Sequence, residues 1–359
     1  ILTLYLQPRG RYCIRQIEIT KSRGQDFISG KHTLRIEGGK GVRVYQRAEA
    51  RPLLITDQPT STRRTSLGVP AVDEMIGSGI FDGSVTLVVG VTGTGKTVLG
   101  TEFLVEGARQ GKKGLLVTLD EHPAQIIRNA DGLGLDLKKY IDEGMLLVYF
   151  DSPQELEPDV HFHQVMRLVE ENDIQRVVID SLTAYRINHA TQRDFHDFIY
   201  ALTTHFKDRL VTAFLNYESP EMLGLSQISE DLRASTIVDN IILLNYVEIS
   251  NRLRRAITVP KARGSAPTRQ TYEYTIQQGG ITLLPTGTEP ESQTEVVPQL
   301  PFASYYGVLA RSPARVSPII EESIVTGKEL PEVEIPFEEE LADKKTNGAK
   351  KTKSTPRKK

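Results

Sequence analysis

The chain has 359 residues, 44 Lys and Arg against 46 Asp and Glu, a net charge of −2, and 39% hydrophobic residues. That is apolar material enough for one large or two modest cores, with no global basic footprint for nucleic acid. One cysteine, Cys13, excludes an intrachain disulfide and a cysteine-cluster metal site, and no apolar run is long enough to span a membrane, so a reducing, cytoplasmic setting is expected.

In chain order, residues 1–50 do not read as a domain of their own; they read as a repeat of something later. Ile17-Glu18-Ile19-Thr20-Lys21-Ser22-Arg23-Gly24 and Ala256-Ile257-Thr258-Val259-Pro260-Lys261-Ala262-Arg263-Gly264 are both apolar strands ending in K-x-R-G. Each follows a strand-like run (Ile1–Tyr5, Ile241–Tyr246) and precedes a further strand and a Gly-Gly turn (Gly38-Gly39, Gly279-Gly280). The offset, roughly 240 residues, is the size of one α/β domain. Residues 1–50 are therefore expected to be the closing strands of a preceding, homologous domain in a tandem protein. Residues 51–65, with Pro52, Pro59 and a Ser/Thr/Arg cluster, read as a linker.

The next segment carries the strongest signal. Gly90-Val91-Thr92-Gly93-Thr94-Gly95-Lys96-Thr97 is a complete G-x-x-x-x-G-K-[ST] phosphate loop, or Walker A motif. The apolar run Val85–Val89 before it predicts a buried strand, and Val98–Val105 after it the start of a helix, which is the context the motif needs. The glycines let backbone N–H groups close around phosphate oxygens, with the helix N-terminus adding positive potential. Lys96 would reach the β- and γ-phosphates of ATP, and Thr97 would hold Mg²⁺ through its hydroxyl.

From 66 to 285 strands and helices alternate. Strands are predicted at Thr86–Val89, Gly114–Leu119, Met145–Tyr149, Arg176–Ile179 and Val211–Asn216, and helices at Thr97–Gly111, Pro123–Asn129, His161–Glu171 and Gln192–Lys207. Four hairpin-like strands follow, at Asn240–Val247, Ala256–Val259, Tyr272–Ile276 and Ile281–Leu284. The pattern predicts an α/β fold: a mostly parallel central sheet with helices on both faces and C-terminal antiparallel strands.

Three further features fit the phosphate loop. Arg176-Val177-Val178-Ile179-Asp180-Ser181 is an apolar strand ending in a carboxylate, the Walker B pattern, with Asp180 in the Mg²⁺ shell. Asp120 and Glu121 end another strand, on the edge where parallel strands open toward a ligand, and could orient and deprotonate an attacking water or hydroxyl. Lys261 and Arg263, two apart on a strand, would share a face and need an anion nearby; the γ-phosphate of an adjacent subunit is the natural candidate. Pro260 just before them cannot donate to a ladder, so the strand is expected to end there or lie on an edge. Beyond Thr286 the pattern fades into a Pro-, Ser-, Thr- and Glu-rich extension (286–325) and a charged tail (326–359) that reads as disordered.

Together, L-G-V-P-A-V-D-E-M-I-G-S-G-I-F from Leu67, G-V-T-G-T-G-K-T, V-T-L-D-E, R-V-V-I-D-S-L-T-A, A-S-T-I-V-D-N-I-I-L-L-N-Y-V-E-I and the closing K-A-R-G-S resemble the KaiC family of circadian clock ATPases, within the RecA-like P-loop fold. The resemblance covers residues 1–285. It implies a homo-hexameric double ring with ATP and Mg²⁺ at subunit interfaces, slow hydrolysis, and serine/threonine autophosphorylation. It places Asp120 at the first of the family's two glutamates, as general base with one methylene less reach, and Glu121 at the second. It makes Ser235 and Thr236 the phosphoacceptors, with Glu230 replacing the family's relay threonine beside Asp231. Lys261 and Arg263 would act in trans, with Lys21 and Arg23 their equals in the first ring. Read from the residues alone, a Ser-Thr pair before a strand is a cap or turn. Two other readings stay open: a non-kinase hexameric scaffold that recruits protein partners, and a RecA-like DNA-linked ATPase, against which the near-neutral charge counts.

Overall fold

The computed structural model describes residues 1–9, 12–49, 59–219, 234–249 and 252–284. Glu230, Asp231, most of the linker and the segment from Thr286 lie outside the described residues.

Four strands open the chain: β1 (Leu2–Arg9), β2 (Tyr12–Ile19), β3 (Lys31–Glu37) and β4 (Gly41–Tyr45), forming an antiparallel sheet in that order. Next come a two-stranded ribbon, β5 (Arg64–Thr65) with β6 (Ile80–Phe81), and between them α1 (Pro70–Ile76). The alternating region then runs β7 (Val85–Gly90), α2 (Lys96–Arg109), β8 (Gly114–Thr118), α3 (Pro123–Gly132), α4 (Leu137–Asp142), β9 (Leu146–Phe150), α5 (Pro158–Glu171), β10 (Arg176–Asp180), α6 (Leu182–Asn188), α7 (Gln192–Asp208) and β11 (Thr212–Glu218). A short helix α8 (Ala234–Ile237) leads into β12 (Asn240–Ile249), β13 (Arg252–Ala262), β14 (Thr271–Gln277) and β15 (Gly280–Leu283).

The large sheet has the order β15-β14-β13-β12-β7-β11-β10-β8-β9. Its six strands from β12 to β9 are parallel, and β13 to β15 extend it antiparallel. The apolar runs of the parallel strands split by alternation between two cores. Val85, Leu87, Val89, Leu115, Val117, Val177 and Ile179 meet α5, α6 and α7. Val88, Leu116, Val178 and Phe214 meet α1 to α4, where Phe103 of α2 stacks on Phe214 with ring centroids 4.2 Å apart. A strand buried on both faces has no polar side, which is why these runs read as continuously apolar. Each large side chain so buried contributes roughly 1.5–3 kcal/mol.

The helix starts follow local chemistry. Pro158 occupies the first turn of α5, where its missing N–H is no loss. Thr191 caps α7 by accepting from Asp194 N at 3.0 Å. The short helices α1, α4 and α6 went unread because six or seven residues carry too little periodicity.

Pro260 neither ends β13 nor sits on an edge strand. The ladder to β12 bulges between Ile241 and Leu243, and pairing to β14 covers only Arg255–Thr258. Pro260 thus falls where neither neighbour asks for its N–H.

The opening sheet matches β12–β15 in strand order and direction. It docks on the start of α5. Arg35 donates to Glu157 Oε1 at 2.9 Å, Thr33 Oγ1 to Asp159 Oδ2 at 3.0 Å, Ala48 N to Asp159 Oδ1 at 3.0 Å, and His163 Nε2 to Gln46 O at 2.8 Å. Among the described residues no helix is long and apolar enough to cross a membrane.

Candidate functional site

The phosphate loop leaves β7 at Gly90 and enters α2 at Lys96. Gly93 and Gly95 have φ of +82° and +100°, and a Cβ on Gly95 would lie 2.4 Å from Ile276 Cδ1. The left-handed conformation therefore calls for glycine at both positions, and at Gly95 a side chain would also have to displace the tip of Ile276. Lys96 is buried and crosses the loop, its Nζ donating to Gly90 O at 2.8 Å and Val91 O at 3.0 Å. Burial pushes its pKa down, opposed by four carboxylates around it: Glu218, Asp180, Asp120 and Glu121.

Three neighbouring strands bring those carboxylates together. Asp180 ends β10 in register with Thr118, the last residue of β8, and Leu119 N donates to Asp180 O at 2.8 Å. Thr97 Oγ1 donates to Asp180 Oδ2 at 2.6 Å, so the hydroxyl of the loop and the carboxylate of the Walker B strand share one point. Burial pushes the Asp180 carboxyl up, while the hydrogen bond from Thr97 opposes the rise. Asp120 Oδ2 accepts from Ser181 Oγ at 2.6 Å. Glu121 is half-buried; burial, then Asp180 and Asp120 beside it, raise its pKa. A carboxylate raised toward neutrality is suited to proton transfer.

A hydroxyl and a carboxylate in contact are hard oxygen donors of the kind that hold Mg²⁺ while most of its shell stays with water and phosphate. Among the described residues no group of three or more His, Cys, Asp or Glu is placed to hold a metal ion. The loop opens on a cleft of about 400 Å³ that runs from Lys96, Thr97 and Asp180 to an aliphatic wall of Ile126, Leu133 and Ile276. Thr92 also lies on this cleft, its hydroxyl bonded to Glu218, and Thr94 Oγ1 donates to Val91 O at 2.8 Å inside the loop.

Lys261 and Arg263 are not in this cleft. Lys261 Nζ donates to Val238 O at 2.6 Å and Arg263 Nη2 to Thr236 O at 2.8 Å. Arg263 also pairs with Asp239 at 3.6 Å, and Asp239 Oδ2 accepts from Val85 N at 2.9 Å. The pair therefore sits where β7 begins, whereas the phosphate loop sits where it ends, roughly 17 Å along the strand at about 3.3 Å per residue. Ser235 and Thr236 lie in α8 at that same opposite edge, and Thr236 is exposed. The anion expected beside the two cations includes Asp239.

Sequence reasoning missed Ser181, Asn216 and Glu218. Ser181 directly follows the Walker B carboxylate. Asn216 and Glu218 close β11, whose register places them beside β7 and β10 on the ligand edge. A polar residue ending an otherwise apolar strand was the available signal.

A family model described as the KaiC ATPase matches residues 65–288. The circadian clock protein KaiC3 of Synechocystis sp. is 34% identical over 299 residues, 83% of this chain and 55% of that protein. The circadian clock oscillator proteins KaiC of Picosynechococcus sp. and Rippkaea orientalis are 32% and 33% identical over 303 residues, each covering 84% of this chain and 54% of theirs. The chain spans about half the length of these relatives.

Proposed function

The chain belongs to the KaiC ATPase family, and from that premise we propose that it binds Mg·ATP in the Lys96 cleft, hydrolyses it at the interfaces of a homo-hexamer, and transfers phosphoryl groups to Ser235 or Thr236 of a neighbouring subunit. The observation that carries the nucleotide reading is the 2.6 Å contact between Thr97 and Asp180 beneath a loop crossed by Lys96.

In this reading the backbone of Gly90, Thr92, Gly93, Thr94 and Gly95 cradles the phosphates, and Lys96 neutralises the β- and γ-oxygens. Thr97 and Asp180 hold Mg²⁺ with Glu121 nearby; bound there, the ion offsets charge on the phosphate oxygens. Asp120, oriented by Ser181, takes the proton from the attacking water or hydroxyl. The aliphatic wall of Ile126, Leu133 and Ile276 takes the flat base.

The interface reading draws support from distance. Ser235, Thr236, Lys261 and Arg263 share the edge of the sheet opposite the phosphate loop, out of reach of the chain's own nucleotide. Arg263 grips the backbone carbonyl of Thr236 itself and Lys261 that of Val238 two residues on, so cations and acceptors would reach a neighbour's γ-phosphate together. We read residues 1–50 as the closing strands of a preceding unit of the same type, a reading supported by the match between β1–β4 and β12–β15. The relatives' names speak of circadian clocks; for this chain that becomes a proposal of regulatory signalling through protein partners.

Incubation with Mg·ATP, followed by phosphate-release assay, mass photometry and phosphosite mass spectrometry, tests the reading, with Lys96→Ala as the inactive control. ADP production with phosphate on Ser235 or Thr236 in a hexamer supports all of it. Turnover in a hexamer without phosphoresidues removes the kinase and leaves the ATPase. No Lys96-dependent turnover removes both.

A further inference from the structure

Three side chains to which no role has been given so far hold the phosphate loop from behind. Tyr246 on β12 is the cross-strand partner of Arg255 on β13, and Arg255 is the partner of Tyr274 on β14. Directly opposed residues share a face, so a single rung across three antiparallel strands presents all three to the loop. Tyr246 Oη donates to Gly93 O at 2.7 Å, Arg255 Nε to the same oxygen at 3.2 Å, and Tyr274 Oη to Thr94 O at 2.5 Å. Two consecutive carbonyls of the loop are thus anchored by three donors, and Tyr274 is only 1% exposed.

In a trans peptide the C=O and the following N–H point to opposite sides of the chain. Anchoring the Gly93 and Thr94 carbonyls outward on the rung turns the N–H of Gly95 inward, toward the space that Lys96 crosses, while the N–H of Thr94 closes on Val91 O at 3.4 Å and fixes the turn of the loop. A loop with two residues at positive φ loses much freedom when it is ordered, and a loop ordered beforehand loses less when a ligand arrives. We propose that the Tyr246–Arg255–Tyr274 rung positions the loop N–H donors for phosphate oxygens and so sets the affinity for nucleoside diphosphate and triphosphate. The proposal rests on the nucleotide-binding reading above. These are positioning residues: they act through the Gly93 and Thr94 peptides.

The rung makes a signature that simple packing does not. Tyr246 and Arg255 share one acceptor, so either alone can hold it. The 359-residue chain and its Tyr246→Phe, Arg255→Met, Tyr246→Phe/Arg255→Met and Tyr274→Phe variants are titrated with Mg·ADP by calorimetry. Unliganded melting and kcat at saturating ATP are measured alongside. The expected result is less than threefold weakening in Tyr246→Phe and in Arg255→Met. The double variant and Tyr274→Phe should each weaken binding by about tenfold or more, with kcat within about twofold of wild type, since binding lost equally from ground and transition states leaves kcat alone. Arg255 lies half-buried on the outer side, so the Tyr246/Arg255 series reads out even where Tyr274→Phe disturbs the core. Wild-type affinity in the double variant overturns the rung while leaving nucleotide binding intact. Failure of the wild-type chain itself to bind Mg·ADP overturns both.

Discussion

Ser181 donates its hydroxyl to Asp120 Oδ2 at 2.6 Å, tying the residue after the Walker B carboxylate to the first residue of the Asp-Glu pair that follows β8. Asp120 is exposed, and a short carboxylate on an exposed loop needs such a tether to hold one orientation. Asp120→Asn should lower kcat for ATP by 10²-fold or more, the usual contribution of a positioned base being about 10²–10⁴. Ser181→Ala should lower it by about tenfold, leaving the base present but free to rotate. Mg·ADP affinity should change little in either. Turnover of Asp120→Asn within twofold of wild type would remove Asp120 as the base and move the role to Glu121, whose raised pKa suits it.

Glu102 predicts a pH dependence of stability. It is buried in α2, its Oε1 accepts from Ile281 N at 2.9 Å, and a Cβ on Gly280 would lie 1.9 Å from that oxygen. Burial pushes its pKa up to about 8, from an ordinary carboxyl value of about 4.5. The folded chain therefore holds this proton more tightly than the unfolded chain. The stabilisation is complete below about pH 4.5 and is lost as the pH rises through about 8, at most roughly 5 kcal/mol for a shift of this size. Glu102→Gln keeps the acceptor for Ile281 and cannot ionise, so it should gain on wild type as pH rises. Urea melts from pH 5 to 9 give the comparison, and a constant difference across that range would show Glu102 already ionised at the acid end.

The parallel sheet was legible because strands buried on both faces are continuously apolar, and the phosphate loop because its glycines and Lys96 are fixed by backbone geometry. Asp180, Asp120 and Glu121 were legible as carboxylates at strand ends. Ser181 and Asn216 were not, since a polar residue at a strand end has many uses and only the register of β8, β10 and β11 selects this one. The rung of Tyr246, Arg255 and Tyr274 was invisible for the same reason. Its members are 28 residues apart from first to last, and only the pairing of β12, β13 and β14 aligns them. Pro260 misled because propensity disfavours proline in a ladder, whereas the bulge at Ile241/Leu243 removes the ladder there.

Asp159 predicts how firmly the opening sheet is held. Both of its oxygens are used, by Ala48 N and by Thr33 Oγ1. Asp159→Ala leaves a backbone N–H and a hydroxyl without their acceptor, at about 1–3 kcal/mol for each buried donor. The expected outcome is faster tryptic cleavage after Arg43 and Arg47, with little change in Mg·ADP affinity. Arg35→Ala, which removes only a partly exposed ion pair with Glu157, should have the smaller effect. Equal cleavage of Asp159→Ala and wild type would place the docking elsewhere.

Lys261 tests whether the site is completed by a neighbour. Burial pushes its pKa down to about 8, with Arg263 and Lys207 adding to the fall and Asp239 opposing it. Its charge is therefore largely present at pH 7 and largely gone by pH 9. If that cation serves the reaction, wild-type kcat should fall across this interval. Lys261→Arg, which stays charged, should show a flatter profile whatever its absolute rate. Lys261→Ala should lose at least about 10²-fold, in keeping with the weight of a trans-acting cation in phosphoryl transfer. Mixing decides the direction of the contact. A Lys96→Ala subunit cannot use its own nucleotide but still presents Lys261; a Lys261→Ala subunit has an intact cleft and lacks the cation. Each is inactive alone. Co-assembled rings should recover turnover, because the Lys96→Ala subunit supplies Lys261 to the intact cleft beside it. Mixed rings as inactive as the separate variants would overturn the trans-acting role of Lys261, because its side chain lies beside the start of β7, a strand's length from the Lys96 of its own chain.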